Sequence, residues 1–107
     1  VQAKLADMYT QIEAMKALCY RTLAFANDLG EGDGGRGEIH KVTAAALMFA
    51  ADNCSRVISD ALQIFGGSGY MRETEVNRLY RASKLLEIGA GTTEIRKLII
   101  AGELMRD

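Results

Sequence analysis

The chain has 107 residues, of which 49% are hydrophobic and 25% are charged, and its formal net charge is -1. These values are typical of one small globular domain and favour neither disorder nor a membrane protein. No apolar run approaches the roughly 20 residues that a spanning helix needs. The near-neutral charge argues against a nucleic-acid partner, because proteins that bind phosphates usually carry a basic face. We therefore expect a single domain over residues 1–107.

The reactive side chains are few. Cys19 and Cys54 lie within apolar helical patterns and are too few for a disulfide framework or a metal site, which favours a reducing compartment. His40 has no Asp or Cys at catalytic spacing, so it is interpreted as a surface or helix-start residue. The apolar pattern is already running at Leu5 with no cap or targeting segment before it. This predicts a piece of a longer protein.

The first predicted helix runs to about Asp28. Apolar residues recur along it at spacings of three and four, at Leu5, Met8, Ile12, Met15, Cys19, Leu23 and Ala26. The glycine-rich stretch over residues 30–37 cannot stay helical, because each glycine loses much backbone entropy when it is ordered. It is predicted to be a surface connection between the first two helices.

The second predicted helix, over residues 39–65, is apolar nearly all round. One side carries Val42, Ala46, Phe49, Val57, Ala61 and Ile64, and another carries Leu47, Ala51, Cys54, Ile58, Leu62 and Phe65. Such a helix is either central to its domain or shared with another subunit. We therefore expect a dimer or tetramer assembled through these helices.

Two shorter helices follow. One is predicted over residues 73–86, with Val76, Leu79, Tyr80 and Leu85 facing inward, and the last begins near Thr92, with Ile95, Leu98 and Ile99 as its buried stripe. β-Branched residues do not alternate along the chain, so strands have little support. The predicted fold is all-α, an up-down four-helix bundle with breaks at residues 30–37, 66–69 and 89–91.

Two glycine-bearing segments carry the functional signal, namely QIFGGSGY from Gln63 to Tyr70 and EIGAGTTEI from Glu87 to Ile95. Glycine lets a ligand approach the bare backbone, and free N–H groups at a helix start attract polarised oxygens. The plain interpretation of the first is a helix C-cap. That of the second is an N-cap at Thr92 with a favourable acid at Glu94.

Both segments resemble the C-terminal domain of the acyl-CoA dehydrogenases, and the similarity is strongest with the isovaleryl-CoA dehydrogenase branch. The resemblance covers essentially the whole chain and implies an FAD-dependent enzyme that oxidises acyl-CoA thioesters between the α and β carbons. It also implies transfer of electrons to an electron-transferring flavoprotein. By the same resemblance, the first segment holds the adenine and pyrophosphate of a neighbouring subunit's flavin through Gln63, Ile64, Phe65, Gly66 and Gly67.

In this family the second segment reaches the active site. The resemblance implies that Thr92, Thr93 and Glu94 touch the flavin, that Ala90 and Gly91 bind the substrate, and that the N–H of Ala90 binds the thioester carbonyl. Straight-chain members carry a catalytic Glu at the position of Ala90, whereas an alanine cannot accept a proton. The IGAGT pattern of residues 88–92 therefore implies that the base lies upstream of Val1 and that this chain has no catalytic base of its own. It also leaves room for a branched acyl group.

Several expectations remain open beside this resemblance. The basic residues Arg72, Arg78, Arg81 and Lys84 could meet a phosphate or form a solvated or intersubunit face. Ala82 and Ser83 stand within a run where relatives usually have Asp. A non-catalytic oligomerisation module, or a flavin monooxygenase or nitroalkane oxidase of the same fold, are the alternatives. The expected location is the bacterial cytoplasm or the mitochondrial matrix.

Overall fold

In the computed structural model of the chain, residues 1–29, 37–89 and 91–106 are described. Their regular structure consists of four long helices and one short one, in the order α1 Gln2–Leu29, α2 Glu38–Phe65, α3 Gly67–Tyr70, α4 Glu75–Ile88 and α5 Thr93–Leu104. The predicted all-α fold with four long helices is confirmed. The predicted break at residues 66–69 is partly wrong, because residues 67–70 form one helical turn after a single-residue interruption at Gly66.

The central element is α2, against which α1, α4 and α5 all pack. Its buried residues include Ala44, Ala46 and Ala51, and such small side chains let neighbouring helices approach closely. An ion pair of 3.7 Å between Lys4 Nζ and Asp60 Oδ1 joins the start of α1 to the last turns of α2, so these two helices run antiparallel. Of the two alternatives predicted for the second helix, a central place in the domain is confirmed.

The last two long helices lie one after the other along α2. Ser55 Oγ donates a 2.8 Å hydrogen bond to Glu87 Oε2 at the end of α4. His40 Nδ1 lies 3.2 Å from Glu103 Oε2 at the end of α5. Thus α4 covers the C-terminal half of α2 and α5 covers its N-terminal half, both antiparallel to α2. The turn between α4 and α5 consequently lies beside the middle of α2.

The face by which α1 meets α2 differs in part from the predicted stripe. Leu5, Ile12 and Leu23 are exposed. The less exposed residues of α1 include four from the predicted stripe, Met8, Met15, Cys19 and Ala26, together with Lys4, Gln11, Leu18, Thr22 and Phe25. These also recur at helical spacing, so α1 carries two adjacent apolar stripes and only one of them is used within this chain.

The buried face of α4 was also predicted only in part. Val76 is buried as expected, but Leu79, Tyr80 and Leu85 are exposed, and Leu85 retains 66% of its accessible surface. Ser83 is buried in their place, with its hydroxyl donating to the carbonyl of Tyr80 at 2.8 Å. A small residue at this position lets α4 lie close to α2, while the larger apolar side chains of α4 remain exposed.

Among the described residues, no large side chain is fully buried, and many large apolar side chains are exposed on every long helix. Exposed apolar area of this extent is typical of surfaces that contact other chains or domains. No described helix is both long enough and apolar enough to cross a membrane.

The contact between Ser55 and Glu87 predicts a pH-dependent stability. The hydrogen bond from Ser55 lowers the pKa of Glu87 below its ordinary value of 4.5; partial burial opposes this, and Lys84 assists it. A carboxylate whose pKa is lowered by folding stabilises the native state above its ordinary pKa, and this contribution disappears as the pH falls through the lowered value. Ser55→Ala should therefore lower the free energy of unfolding at pH 7 by about 1 kcal/mol.

The measurement is urea unfolding between pH 3 and pH 7. We expect the difference between the wild-type protein and Ser55→Ala to shrink below pH 4.5. The matched control is Ser59→Ala, one turn further along α2, whose exposed hydroxyl makes no hydrogen bond within the described residues. A pH-independent loss in Ser55→Ala would contradict the linkage.

Candidate functional site

The first glycine segment closes α2. Gly66 has a φ of 63° and a ψ of -140°, a backbone region that is essentially restricted to glycine, and its N–H donates to the carbonyl of Gln63 at 3.1 Å. Gln63 and Phe65 are exposed beside it, and Ile64 is half-buried. The plain C-cap interpretation is therefore part of the explanation for this segment.

The glycines of this segment are present for different reasons. A Cβ atom added at Gly69 would lie 2.7 Å from the carbonyl oxygen of Leu62, so packing alone demands glycine there. A Cβ added at Gly66 or Gly67 would meet no atom within 4 Å. Gly66 is explained by its positive φ, but Gly67 is explained neither by packing nor by its φ angle. The backbone at Gly66 and Gly67 is open to approach by another group.

Asn77 holds this segment in place and was not identified from the sequence. Its side-chain amide donates to the carbonyls of Gly69 at 3.0 Å and Tyr70 at 3.2 Å, and its Oδ1 accepts from Arg81 Nε at 3.0 Å. The start of α4 is fixed by Thr74, whose hydroxyl accepts from the N–H of Asn77. The sequence signal that could have identified Asn77 is Thr-Glu-Val-Asn at a helix start, since Asn commonly binds nearby backbone groups.

The second glycine segment joins α4 to α5. The N–H of Gly89 donates to the carbonyl of Leu85 at 2.6 Å, and a Cβ at Gly89 would lie 3.0 Å from that same oxygen. Gly91 has a φ of 109°, which an L side chain rarely adopts. Ala90 lies outside the described residues, so the structure does not test its expected position.

The start of α5 is capped as its sequence predicts. Thr92 has extended backbone geometry, and its hydroxyl accepts from the N–H of Ile95 at 3.2 Å. Thr93 and Glu94 are the first two residues of the helix, with Thr93 half-buried and Glu94 exposed. Their backbone N–H groups belong to the first turn, where an α-helix has no internal acceptors for them.

The structure does not bring the two glycine segments together. They lie at opposite ends of α4, a helix of 14 residues. At 1.5 Å per residue this helix is about 21 Å long. One copy of the chain therefore presents two separate candidate contact sites, Gln63 to Gly67 at one end of α4 and Gly89 to Glu94 at the other.

Arg96 lies beside the glycine turn between α4 and α5. Its burial shows that the predicted buried stripe of α5 was wrong in part. Ile95 and Leu98 are exposed, by 48% and 67%, whereas Arg96 retains only 3% of its accessible surface. Its Nη1 donates to the carbonyl of Leu86 at 2.9 Å and its Nη2 to the carbonyl of Gly89, also at 2.9 Å. The guanidinium thus joins α5 to the last turn of α4 and to the glycine turn.

No periodic pattern could have identified Arg96. A charged residue between two apolar positions is normally assigned to a solvated face, because Arg is rarely buried. Its acceptors lie ten and seven residues earlier in the chain, on the other side of the turn. The only local signal is its place one turn after the N-cap of a helix that follows a glycine turn.

The basic side chains of α4 are mostly paired within the helix. Arg78 binds Glu75, and Lys84 Nζ lies 3.4 Å from Glu87 Oε2. Arg81 is exposed and donates to Asn77, and Arg72, which precedes α4, is also exposed. This arrangement favours the solvated interpretation of these residues over a phosphate site.

A groove of about 710 Å³ lies between α2 and α4, and Glu87 of the second glycine segment is part of its lining. Its charged lining is balanced, with Asp52, Asp60 and Glu87 beside Arg56, Arg81 and Lys84. A mixed lining of this kind has no net preference for an anion. Among the described residues, no group of three or more His, Cys, Asp or Glu could hold a metal ion.

Replacement of Gly66 and Gly67 by alanine should distinguish the glycine required by backbone strain from the glycine that only leaves the backbone open. Gly66→Ala should cost about 1 to 3 kcal/mol, because its backbone angles suit only glycine. Gly67→Ala, its matched control, adds the same methyl group in equally open space and should change the free energy of unfolding by less than about 0.5 kcal/mol. The check is chemical denaturation of both variants. Equal losses would contradict the assignment of strain to Gly66 alone.

Comparisons with known proteins agree with this architecture. Residues 1–105 match the family described as the acyl-CoA dehydrogenase C-terminal domain. The mitochondrial isovaleryl-CoA dehydrogenase of Oryza sativa subsp. japonica is 41% identical over 107 residues, which are 100% of this chain and 24% of that protein.

Two solved structures have the same fold. Butyryl-CoA dehydrogenase from Megasphaera elsdenii is 36% identical, with a TM-score of 0.82 over 98% of this chain and 26% of its own. A chain in the structure described as the electron transferring flavoprotein of Acidaminococcus fermentans is 34% identical, also with a TM-score of 0.82, over 99% of this chain and 26% of its own.

The chain spans about a quarter of the length of these relatives. The family match extends over nearly all of its residues, and the relatives share more than a third of their aligned residues with it. The chain therefore belongs to the acyl-CoA dehydrogenase family, as its C-terminal helical domain, and the resemblance carried by the two glycine segments is confirmed.

Proposed function

We propose that this chain is the cofactor-contacting, substrate-contacting and oligomerising domain of an FAD-dependent enzyme that dehydrogenates an acyl-CoA between its α and β carbons. The observation that carries this proposal is the family match over residues 1–105, which includes the IGAGT turn between α4 and α5. A branched acyl group is the favoured substrate, because the turn carries only glycine and alanine where a bulkier residue would restrict the pocket.

The first segment would contact the adenine and pyrophosphate of FAD through Gln63 and the backbone from Ile64 to Gly67. Open backbone at Gly66 and Gly67 supports this proposal, because an added Cβ would project there into space that a ligand could occupy. Gln63 offers both an amide donor and a carbonyl acceptor from an exposed position. The residues present therefore fit a polar, dinucleotide-like group.

The second segment would contact the acyl-CoA through Ala90 and Gly91, and the flavin through Thr92, Thr93 and Glu94. FAD, when bound, supplies the oxidising power for removal of the two hydrogens. The contribution of this chain is a backbone N–H at residue 90 that donates to the thioester carbonyl and so makes the α-proton more acidic. One such donor is typically worth about 3 kcal/mol in transition-state stabilisation.

The base that takes the α-proton is proposed to lie outside this chain, upstream of Val1. The methyl group of Ala90 cannot accept a proton, and neither Glu87 nor Glu94 occupies the position at which straight-chain relatives carry their base. Glu87 is already engaged by Ser55 and Lys84. The domain thus contributes to positioning and polarisation but not to proton abstraction.

Assembly as a homodimer or homotetramer is supported by the exposed apolar stripes of α1, α4 and α5. The separation of the two segments along α4 agrees with an arrangement in which one copy contacts its own acyl site and a neighbour's flavin. Electron-transferring flavoprotein is the proposed acceptor of the electrons. The family match and the two free thiols, Cys19 and Cys54, agree with the bacterial cytoplasm or the mitochondrial matrix as the location.

The test of the function uses the full-length protein with bound flavin. Anaerobic addition of isovaleryl-CoA should bleach the flavin absorbance. Gln63→Ala should weaken FAD binding by about tenfold, the factor that corresponds to loss of roughly one hydrogen bond, without removing the reaction at saturating FAD. Absence of flavin would favour the oligomerisation module. Bound flavin that acyl-CoA cannot reduce would favour the monooxygenase or nitroalkane oxidase.

The identity of the base gives a second prediction. In the full-length enzyme, Ala90→Glu should lower the turnover of a branched acyl-CoA, because a second carboxylate near the first raises the pKa of one of them and the added side chain reduces the space for the acyl group. Replacing the upstream Glu by Gln should abolish turnover. The measurement is steady-state reduction of an artificial electron acceptor. Full activity in both variants would overturn this assignment of the base.

A further inference from the structure

Arg96 is buried at a depth that arginine rarely reaches without a carboxylate partner. Within the described part of the chain, its guanidinium lies near no acidic side chain at ion-pair distance, and its Nε has no hydrogen-bond partner. Its two hydrogen bonds go to backbone carbonyls. Because burial of a charge is costly, an arginine in this position needs an explanation beyond the closing of a helix end.

Arg96 is only one of the groups that cap the C-terminus of α4, through its bond to the carbonyl of Leu86. The N–H of Gly89 already donates to the carbonyl of Leu85 and closes the last turn. The carbonyl of Leu86 faces the turn at the negative end of the helix dipole, which stabilises a nearby cation. Beyond capping Leu86, Arg96 adds a bond to the carbonyl of Gly89, which lies beyond the end of the helix and needs no helix cap.

The Gly89 carbonyl belongs to the same planar peptide group as the N–H of residue 90. A cation that hydrogen-bonds the oxygen draws electron density toward it, and this makes the N–H of that peptide group a stronger donor. Hydrogen bonds linked in this way strengthen one another, most of all where the surroundings are shielded from water. A buried guanidinium has such surroundings, whereas an exposed one is screened.

We propose that Arg96 is a positioning residue that fixes the Gly89 carbonyl and polarises its peptide group, so that the N–H of residue 90 donates more strongly to the thioester carbonyl of the substrate. This inference rests on the proposed function. Arg96 touches neither substrate nor cofactor in this proposal, but it contributes to making the α-proton more acidic. The planar fork of arginine suits the task, because one rigid group reaches both the Leu86 and the Gly89 carbonyls.

The test compares Arg96→Lys and Arg96→Met in the full-length flavoenzyme with Lys97→Gln as the matched control. Lys97 is the next residue on α5, is exposed, and forms no ion pair within the described residues. Three quantities are measured, namely the unfolding temperature, kcat and KM for isovaleryl-CoA, and the infrared stretch of the thioester carbonyl. For the last, the probe is 3-methylbut-2-enoyl-CoA carrying carbon-13 at the carbonyl, bound to the oxidised enzyme.

We expect kcat to fall by about tenfold to a hundredfold in Arg96→Met, since weakening one backbone donor costs less than removing it, while KM changes by less than about threefold. The carbonyl stretch should move to higher frequency, because the thioester is less polarised. Arg96→Lys keeps the charge but loses the fork, so it should lie between the wild-type enzyme and Arg96→Met in both quantities. Lys97→Gln should match the wild-type enzyme.

A purely structural role predicts a different result. The unfolding temperature would fall, but correctly folded enzyme would keep the wild-type kcat and carbonyl stretch, and this outcome would overturn the proposal. If Arg96→Met does not fold, the carbonyl stretch of Arg96→Lys decides between the two roles. If the wild-type enzyme is not reduced by any acyl-CoA, the proposed function fails and this inference with it, whereas a reducible enzyme with unchanged Arg96 variants refutes the inference alone.

Discussion

The packing of three helices onto α2 is the constraint on which the rest of this structure depends. A helix that is apolar nearly all round cannot lie at the surface, and small residues at Ala44, Ala46 and Ala51 allow several neighbours to approach it at once. α4 and α5 both lie along α2, one after the other, and the second glycine turn separates them. Packing of both helices on α2 places this turn beside the middle of the central helix.

An interruption between two helices also concentrates polar backbone at one place. The last carbonyls of α4 and the first N–H groups of α5 lack partners within their own helices. Two side chains supply partners for these groups. The hydroxyl of the N-cap Thr92 accepts from the N–H of Ile95, and the guanidinium of Arg96 donates to the carbonyls of Leu86 and Gly89. Hydrogen bonds therefore hold the turn in place, because its glycines have no side chains that could pack against the neighbouring helices. A turn held in this way can present backbone donors in a fixed direction.

The sequence predicted the helix boundaries to within about two residues, because glycine and proline content controls where helices can persist. It also identified Thr92 as an N-cap and the second helix as central, since both follow from local chemistry and periodicity. It identified the less exposed face of α1 only in part, because Met8 lies on that face whereas Leu5 does not. Both residues are hydrophobic, so the choice between them depends on the helix opposite rather than on α1 itself.

Asn77 and Arg96 escaped prediction for a related reason. Each binds backbone carbonyls seven to ten residues earlier in the chain, across a turn whose path no propensity describes. A polar residue on a helix is exposed far more often than buried, so a periodic pattern gives no reason to expect either side chain in a buried or bridging position. The candidate site could thus be located by its glycines, whereas the side chains that hold those glycines in place became visible only with the fold.

The arrangement of the two glycine segments limits what one copy of this domain can do alone. They are separated by the whole of α4, and each presents backbone on an open surface rather than inside an enclosed cavity. An enclosed ligand site needs surrounding residues on several sides. The exposed leucine, isoleucine and tyrosine side chains beside these segments could contact other chains or domains that supply those residues. The same apolar stripes that could not be assigned within the chain are thus explained if they meet other subunits or domains. Enclosure of the two sites and burial of these stripes would then occur in one step of assembly.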